Sequence, residues 1–146
     1  MSDEQRKEMR AIKMQQSKLH AKAKLLRLKQ ALNIQDEQKT AWKAYAAQVN
    51  ATSGKRMQMG MELREKFAKT GKKPTSIDLA NANIRRLEQN IETAKTKLKA
   101  FSKLYNSLNE KQRVTINQIA RRKVMKTAKQ ARQMRHKMED IPRRDH

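Results

Sequence analysis

The chain has 146 residues, 36 of them Lys or Arg against 14 Asp or Glu, which gives a formal net charge of +22. Hydrophobic residues make up 36% and aromatic residues 3%, too little for a thick globular interior, so thin helix-on-helix packing completed by a second subunit is expected. Three Gly and two Pro argue against a turn-rich sheet protein, the lack of cysteine excludes disulfides, thiol nucleophiles and cysteine metal sites, and no apolar run approaches the roughly 18 residues that span a bilayer.

Ser2 and Gln5 read as a capping box, which predicts a first helix from about Asp3 through Met9, Ile12, Leu19, Ala23 and Leu26 to about Leu32. Residues 1–31 form a polar N-terminal helix, expected to be partly disordered. The opening M-S-D-E-Q-R-K-E-M-R has no apolar stretch of signal-peptide type, so the sequence reads either as a cytosolic chain or as a mature form with an added start. Next comes the run L-N-I-Q-D-E-Q, with Ile34 and Gln38 at either end of a short box. Gln35 is a poor N-cap, and Asn33 with Asp36 three residues on is the alternative.

A second helix is predicted from about Asp36, carrying Trp42, Tyr45, Ala46 and Val49 on one side, with Trp42 and Tyr45 as core anchors. Asn50-Ala51-Thr52-Ser53-Gly54 reads as a break. A short basic helix follows, carrying Met57, Met59, Met61, Leu63 and Phe67. Methionines two apart cannot all face one side, so at least one of the three is expected to be exposed. Thr70-Gly71-Lys72-Lys73-Pro74-Thr75-Ser76 is the clearest loop, and Thr75 with Asp78, or Ser76 alone, starts the next helix.

That helix carries the best pattern in the chain. Ile77, Ala80, Ile84, Leu87, Ile91, Ala94, Leu98, Phe101, Tyr105 and Leu108 recur at intervals of three and four, a heptad stripe about 45 Å long that needs a partner along most of its length. Leu108, Asn109 and Gln112 form a second box, in which Asn109 is a strong N-cap and Gln112 can reach back to its N–H. The last helix is predicted from Glu110 to about Glu139, with an apolar side that includes Ile116, Ile119, Val124, Met134 and Met138 and with strongly basic opposite faces. Residues 141–146 are expected to be a disordered tail.

Chemistry of the catalytic kind finds no support. His20, His136 and His146 are far apart in sequence and no H-E-x-x-H spacing occurs. No phosphate-cradling G-x-x-x-x-G-K-[ST] loop is present, and the few carboxylates lie among lysines. No cofactor or metal is expected. Two surface features remain as candidate sites. Met57, Met59 and Met61 suit adaptable apolar contact, because thioethers are soft and conformationally tolerant; plain core filling is the alternative, and is preferred for Met134 and Met138. Lys95, Lys99, Lys103, Arg113, Arg121 and Arg122 flank the stripe and the second box, and suit long-range electrostatic capture of acidic, unfolded chains.

The two boxes resemble the L-T-x-x-Q motifs of Spy/CpxP-like periplasmic proteins. Leu32-Asn33-Ile34 before the first box and S-K-L-Y-N-S-L before the second are similar to the flanks in that family, and the resemblance covers roughly residues 32–123. It implies a helical domain over 32–140 and an all-α, thin, elongated hairpin fold that forms a cradle-shaped antiparallel homodimer. It also implies a periplasmic address and ATP-independent holding of unfolded or partly folded clients on a basic, partly apolar concave surface. Regulation of an envelope-stress sensor is the family's other role. The family threonine is replaced by Gln35 and Asn109. The remaining rival is a basic nucleic-acid-binding helical protein, suggested by charge alone. Scarce aromatics and dispersed basic residues speak against it, so neither specific nucleic-acid binding nor membrane insertion is expected.

Overall fold

The computed structural model describes residues 1–139, and every regular element among them is helical: α1 (Asp3–Leu32), a 3-10 turn (Asp36–Gln38), α2 (Lys39–Thr52), α3 (Lys55–Thr70), α4 (Ser76–Ser107) and α5 (Glu110–Glu139). The expected tail at 141–146 lies outside the described residues. Contacts divide the chain into one unit ending at Ser107 and a second beginning at Leu108.

Local capping sets the helix starts. Ser2 Oγ accepts from the Gln5 N–H at 3.2 Å while Gln5 Oε1 accepts from the Ser2 N–H at 2.8 Å. Thr75 and Asp78 make the same reciprocal pair at 3.1 and 2.9 Å ahead of α4. Each pair satisfies two backbone donors that a helix start otherwise leaves without partners. At the other end of α1, Asn33 takes a left-handed conformation (φ 51°) and its N–H bonds to the Gln30 carbonyl. Asn33 therefore ends the first helix. The expectation that it could cap the second is corrected: a left-handed residue closes a helix with its N–H, whereas an N-cap needs extended backbone.

In the first unit α2 runs antiparallel to the C-terminal half of α4. Gln38 meets Ser107 and Tyr45 meets Phe101, so positions descend along one helix as they ascend along the other. Trp42, Tyr45, Phe101 and Tyr105 form a chain of tilted ring contacts with centroids 5.6–6.1 Å apart, a separation at which edge-to-face attraction operates. Trp42 is buried, Leu32 is 2% exposed and Leu104 fully covered. Burial holds the Tyr45 phenol above its ordinary pKa, because the phenolate would lose its water.

Along α1 the apolar residues divide between two sides. Met9, Ile12, Leu19 and Leu26 are exposed, whereas Met14, Ala21, Leu25, Leu28 and Leu32 are half-buried or buried. At about 100° per residue these two sets lie on opposite sides of the helix, so α1 is apolar on two faces and α2 covers only one. Met134 and Met138 are exposed as well, which corrects their assignment as core filler: nothing among the described residues covers that end of α5.

Gly54 separates α2 from α3. Its φ is +82°, and a Cβ there would stand 3.2 Å from Met14 Cγ, so a side chain meets both backbone strain and a neighbour. Gly60 is the reverse case, a mid-helix glycine whose Cβ would meet nothing within 4 Å. Gly54→Ala is therefore expected to destabilise the fold by about 1–2 kcal/mol, and Gly60→Ala to stabilise it by roughly 0.5–1 kcal/mol through helix propensity. Urea unfolding followed by circular dichroism should show shifts of opposite sign.

Candidate functional site

The two glutamine boxes explain their own residues. Gln38 is 6% exposed. Its Oε1 accepts from the Gln35 N–H at 3.0 Å, and its Nε2 donates to the Ser107 carbonyl at 2.9 Å. One side chain thus closes the start of the 3-10 turn and ties it to the last residue of α4, 69 positions away. A glutamine carries both a donor and an acceptor on one planar amide, which is what this dual role requires. Ile34 beside it is half-buried. In the second unit Asn109 Oδ1 accepts from the Gln112 N–H and Gln112 Oε1 accepts from the Asn109 N–H, both at 2.9 Å. This is the reciprocal box expected of Asn-x-x-Gln. Leu108 and Gln112 are buried.

Charges around the boxes and caps are local. Asp36 hydrogen-bonds to and pairs with the Lys39 ammonium, which holds its carboxyl below the usual carboxylate range and raises the lysine in turn. Asp78 is lowered by accepting from the Thr75 N–H and hydroxyl, with a smaller contribution from Lys66.

The heptad stripe of α4 turns out to be a face of its own. At about 100° per residue, the stripe of α4 lies roughly 150° around the helix from its covered side and roughly 80° from its lysines. The covered side, with Ala82, Arg86, Thr93, Lys97, Ala100 and Leu104, is half-buried to buried, and the groove lining places its Ala82 and Arg86 against α3. In the stripe, Ile77, Ile84, Leu87, Ile91 and Leu98 are exposed, at 71% for Ile77 and 47% for Leu87. The lysines, Lys95, Lys99 and Lys103, are all exposed. Only Phe101 and Tyr105, at the C-terminal end of the stripe, are drawn toward α2. Among the described residues, the other helices of the first unit leave the rest of this apolar row exposed.

The other sequence-predicted residues fall in separate places. Arg113 is half-buried, and Arg121 and Arg122 are exposed, all on α5 in the second unit. Met57, Met59 and Met61 are all half-buried, so the expectation that at least one would be exposed is corrected. Met57 and Met61 lie on one side of α3, and Met59 lies on the other, where it lines a groove against α4. That groove was not anticipated from the sequence. Its signal was present as helical spacing in Arg56, Met59, Leu63 and Lys66 on one helix and Leu79, Ala82 and Arg86 on the other, but pairing the two helices takes the hairpin. Among the described residues no group of three or more His, Cys, Asp or Glu side chains comes together as a metal site, and no helix is long and apolar enough to cross a membrane.

The sequence model of the LTXXQ motif family protein matches residues 20–120. No curated protein and no solved structure matches the chain.

Gln38→Ala removes both bonds and strands a carbonyl at the end of α4, which should cost about 1–3 kcal/mol in urea unfolding. Gln38→Glu keeps an acceptor for the Gln35 N–H but loses the donor to Ser107, so it should not rescue the loss. Asp78, lowered in the folded chain, contributes stability that is present above the ordinary carboxylate pKa and lost as pH falls through its folded value. Helical NMR shifts at the start of α4 should decay below about pH 4, and Asp78→Asn should remove that dependence.

Proposed function

The chain belongs to the LTXXQ motif family, the family of Spy and CpxP, and from this membership we propose that it is a periplasmic, ATP-independent holding chaperone acting as a homodimer. The observation that carries the reading is the uncovered apolar row of α4 beside a lysine flank. A row of isoleucines and leucines in water is costly, at about 25 cal/mol per Å² of apolar surface, and a second copy is the partner that a self-complementary heptad stripe suits. The proposed dimer is antiparallel and cradle-shaped, with its basic residues on the concave side.

The net charge of +22 then supplies long-range capture. Unfolded or partly folded acidic clients are drawn in by Lys95, Lys99, Lys103, Arg113, Arg121 and Arg122, and apolar contacts, with Met57, Met59 and Met61 as contributors, hold them loosely. Neither force demands one client geometry, so a bound chain keeps freedom to fold. Holding of this kind involves no covalent step and no nucleotide.

Two measurements test the proposal. Sedimentation should give twice the monomer mass. Leu87→Glu with Ile91→Glu should halve it while leaving helicity intact, because both side chains are exposed within one chain. Unchanged mass would remove the stripe from the interface. At stoichiometric amounts and without ATP, the protein should suppress aggregation of a chemically unfolded acidic client, and less so as salt shortens the screening length. Failure at both low and moderate salt would end the chaperone reading. Tight nucleic-acid binding that persists at about 200 mM salt would favour the rival, since a purely electrostatic complex weakens steeply there.

A further inference from the structure

The α3–α4 groove has a volume of about 590 Å³ and lies wholly within the first unit. Its floor is apolar, from Met59, Leu63, Leu79 and Ala82, and its rim is basic, from Arg56, Lys66, Arg85 and Arg86. Glu62 is the one acid on the wall, and it already accepts from Gln58 Nε2 at 3.1 Å. Arg86 is half-buried, and its Nη2 is held at the wall by Asn83 Oδ1 at 2.7 Å. Among the described residues no carboxylate ion-pairs with Arg56, Arg85 or Arg86. A half-buried guanidinium over apolar floor, without an anion, is a site that favours an incoming negative charge.

The charges are placed unevenly. The two helices run in opposite directions from the loop at 71–75, so Leu63, Leu79 and Ala82 lie toward the closed end. Arg56, Arg85, Arg86 and Gln89 lie toward the open end, and Lys66, which also bears on Asp78, is the one basic lining residue toward the closed end. Gly60, whose missing side chain faces open space, keeps the middle clear. Mid-helix glycine is unfavourable by about 1 kcal/mol against alanine, and no packing contact at this position requires it.

We propose that this groove binds a linear, medium-chain fatty carboxylate. Its carboxylate would pair with Arg56 and Arg86, and its chain would run over Met59 and Leu63 toward Leu79. The walls are helices whose backbone N–H and C=O groups are already bonded, so an extended peptide would bring amides with no partners over the floor, whereas an acyl chain brings none. A groove of about 590 Å³ is of the size of small-molecule sites, which run from about 300 to 1,000 Å³, and an acidic amphipathic helix is the competing occupant that the test includes.

The test is titration calorimetry with sodium dodecanoate, kept below its micelle concentration, on the full chain. Saturable binding is expected at one molecule per chain. Gly60→Leu fills the groove with a good helix former and should weaken binding by about tenfold or more. The paired change Arg56→Gln with Arg86→Gln removes both cations and should weaken it by a similar factor. Dodecyltrimethylammonium, with the same tail and the opposite charge, should not bind at this site. Absence of saturable binding would overturn the proposal. So would equal affinity for the cationic surfactant, wild-type affinity in both variants, or an acidic amphipathic peptide that dodecanoate fails to displace. Direct ligand binding is read here, so the outcome does not depend on whether clients are held.

Discussion

One buried amide holds the first unit in register. Gln38 is tied through its oxygen to the start of its own turn and through its nitrogen to the carbonyl that ends α4. That link adds direction to the apolar and aromatic contact between α2 and α4, which by itself tolerates sliding by a turn. A hydrogen bond across 69 residues fixes which turn faces which, and a buried amide with either end unpaired would cost more than its two bonds contribute. The family motif therefore marks a structural device before it marks any binding residue. Its glutamine is the part that both boxes retain, with Gln112 closing the second as Gln38 closes the first.

With α2 and α4 fixed, the distribution of surface follows. The face of α4 that meets its own chain is composed of small and mixed residues, with Leu104 as its one fully covered leucine. The isoleucines and leucines of the heptad stripe are nearly half a turn away and remain exposed. Gly54 adds a second consequence. Its left-handed backbone interrupts the α2–α3 run, and α3 leaves an open groove against α4 where α2 packs tightly. Thin packing thus produces two different uncovered surfaces. One is a long exposed row suited to another protein chain, and the other is a short furrow rimmed with arginine.

Much of this was legible in the sequence. The Ser2–Gln5, Thr75–Asp78 and Asn109–Gln112 caps were readable because capping is decided within four residues. The start of α5 and the break near Gly54 were readable for the same reason, as was the heptad stripe, since spacing along a helix is a local property. The placing of Asn33 at the wrong end of a helix has a local cause too: asparagine serves as well in a left-handed closing position as in an N-cap, and only the backbone distinguishes them.

What the sequence by itself determined is the set of helices, their caps, and which rows of side chains are apolar, because each depends on interactions a few residues apart. Tertiary structure alone decided which of those rows is covered. Apolar spacing on α1 fits Met9, Ile12, Leu19 and Leu26 as well as it fits Met14, Leu25, Leu28 and Leu32, and α4 presents its strongest row away from the helices of its own unit. Burial is set by which neighbour arrives, and the neighbour is chosen by a contact such as Gln38 with Ser107 that no local pattern encodes.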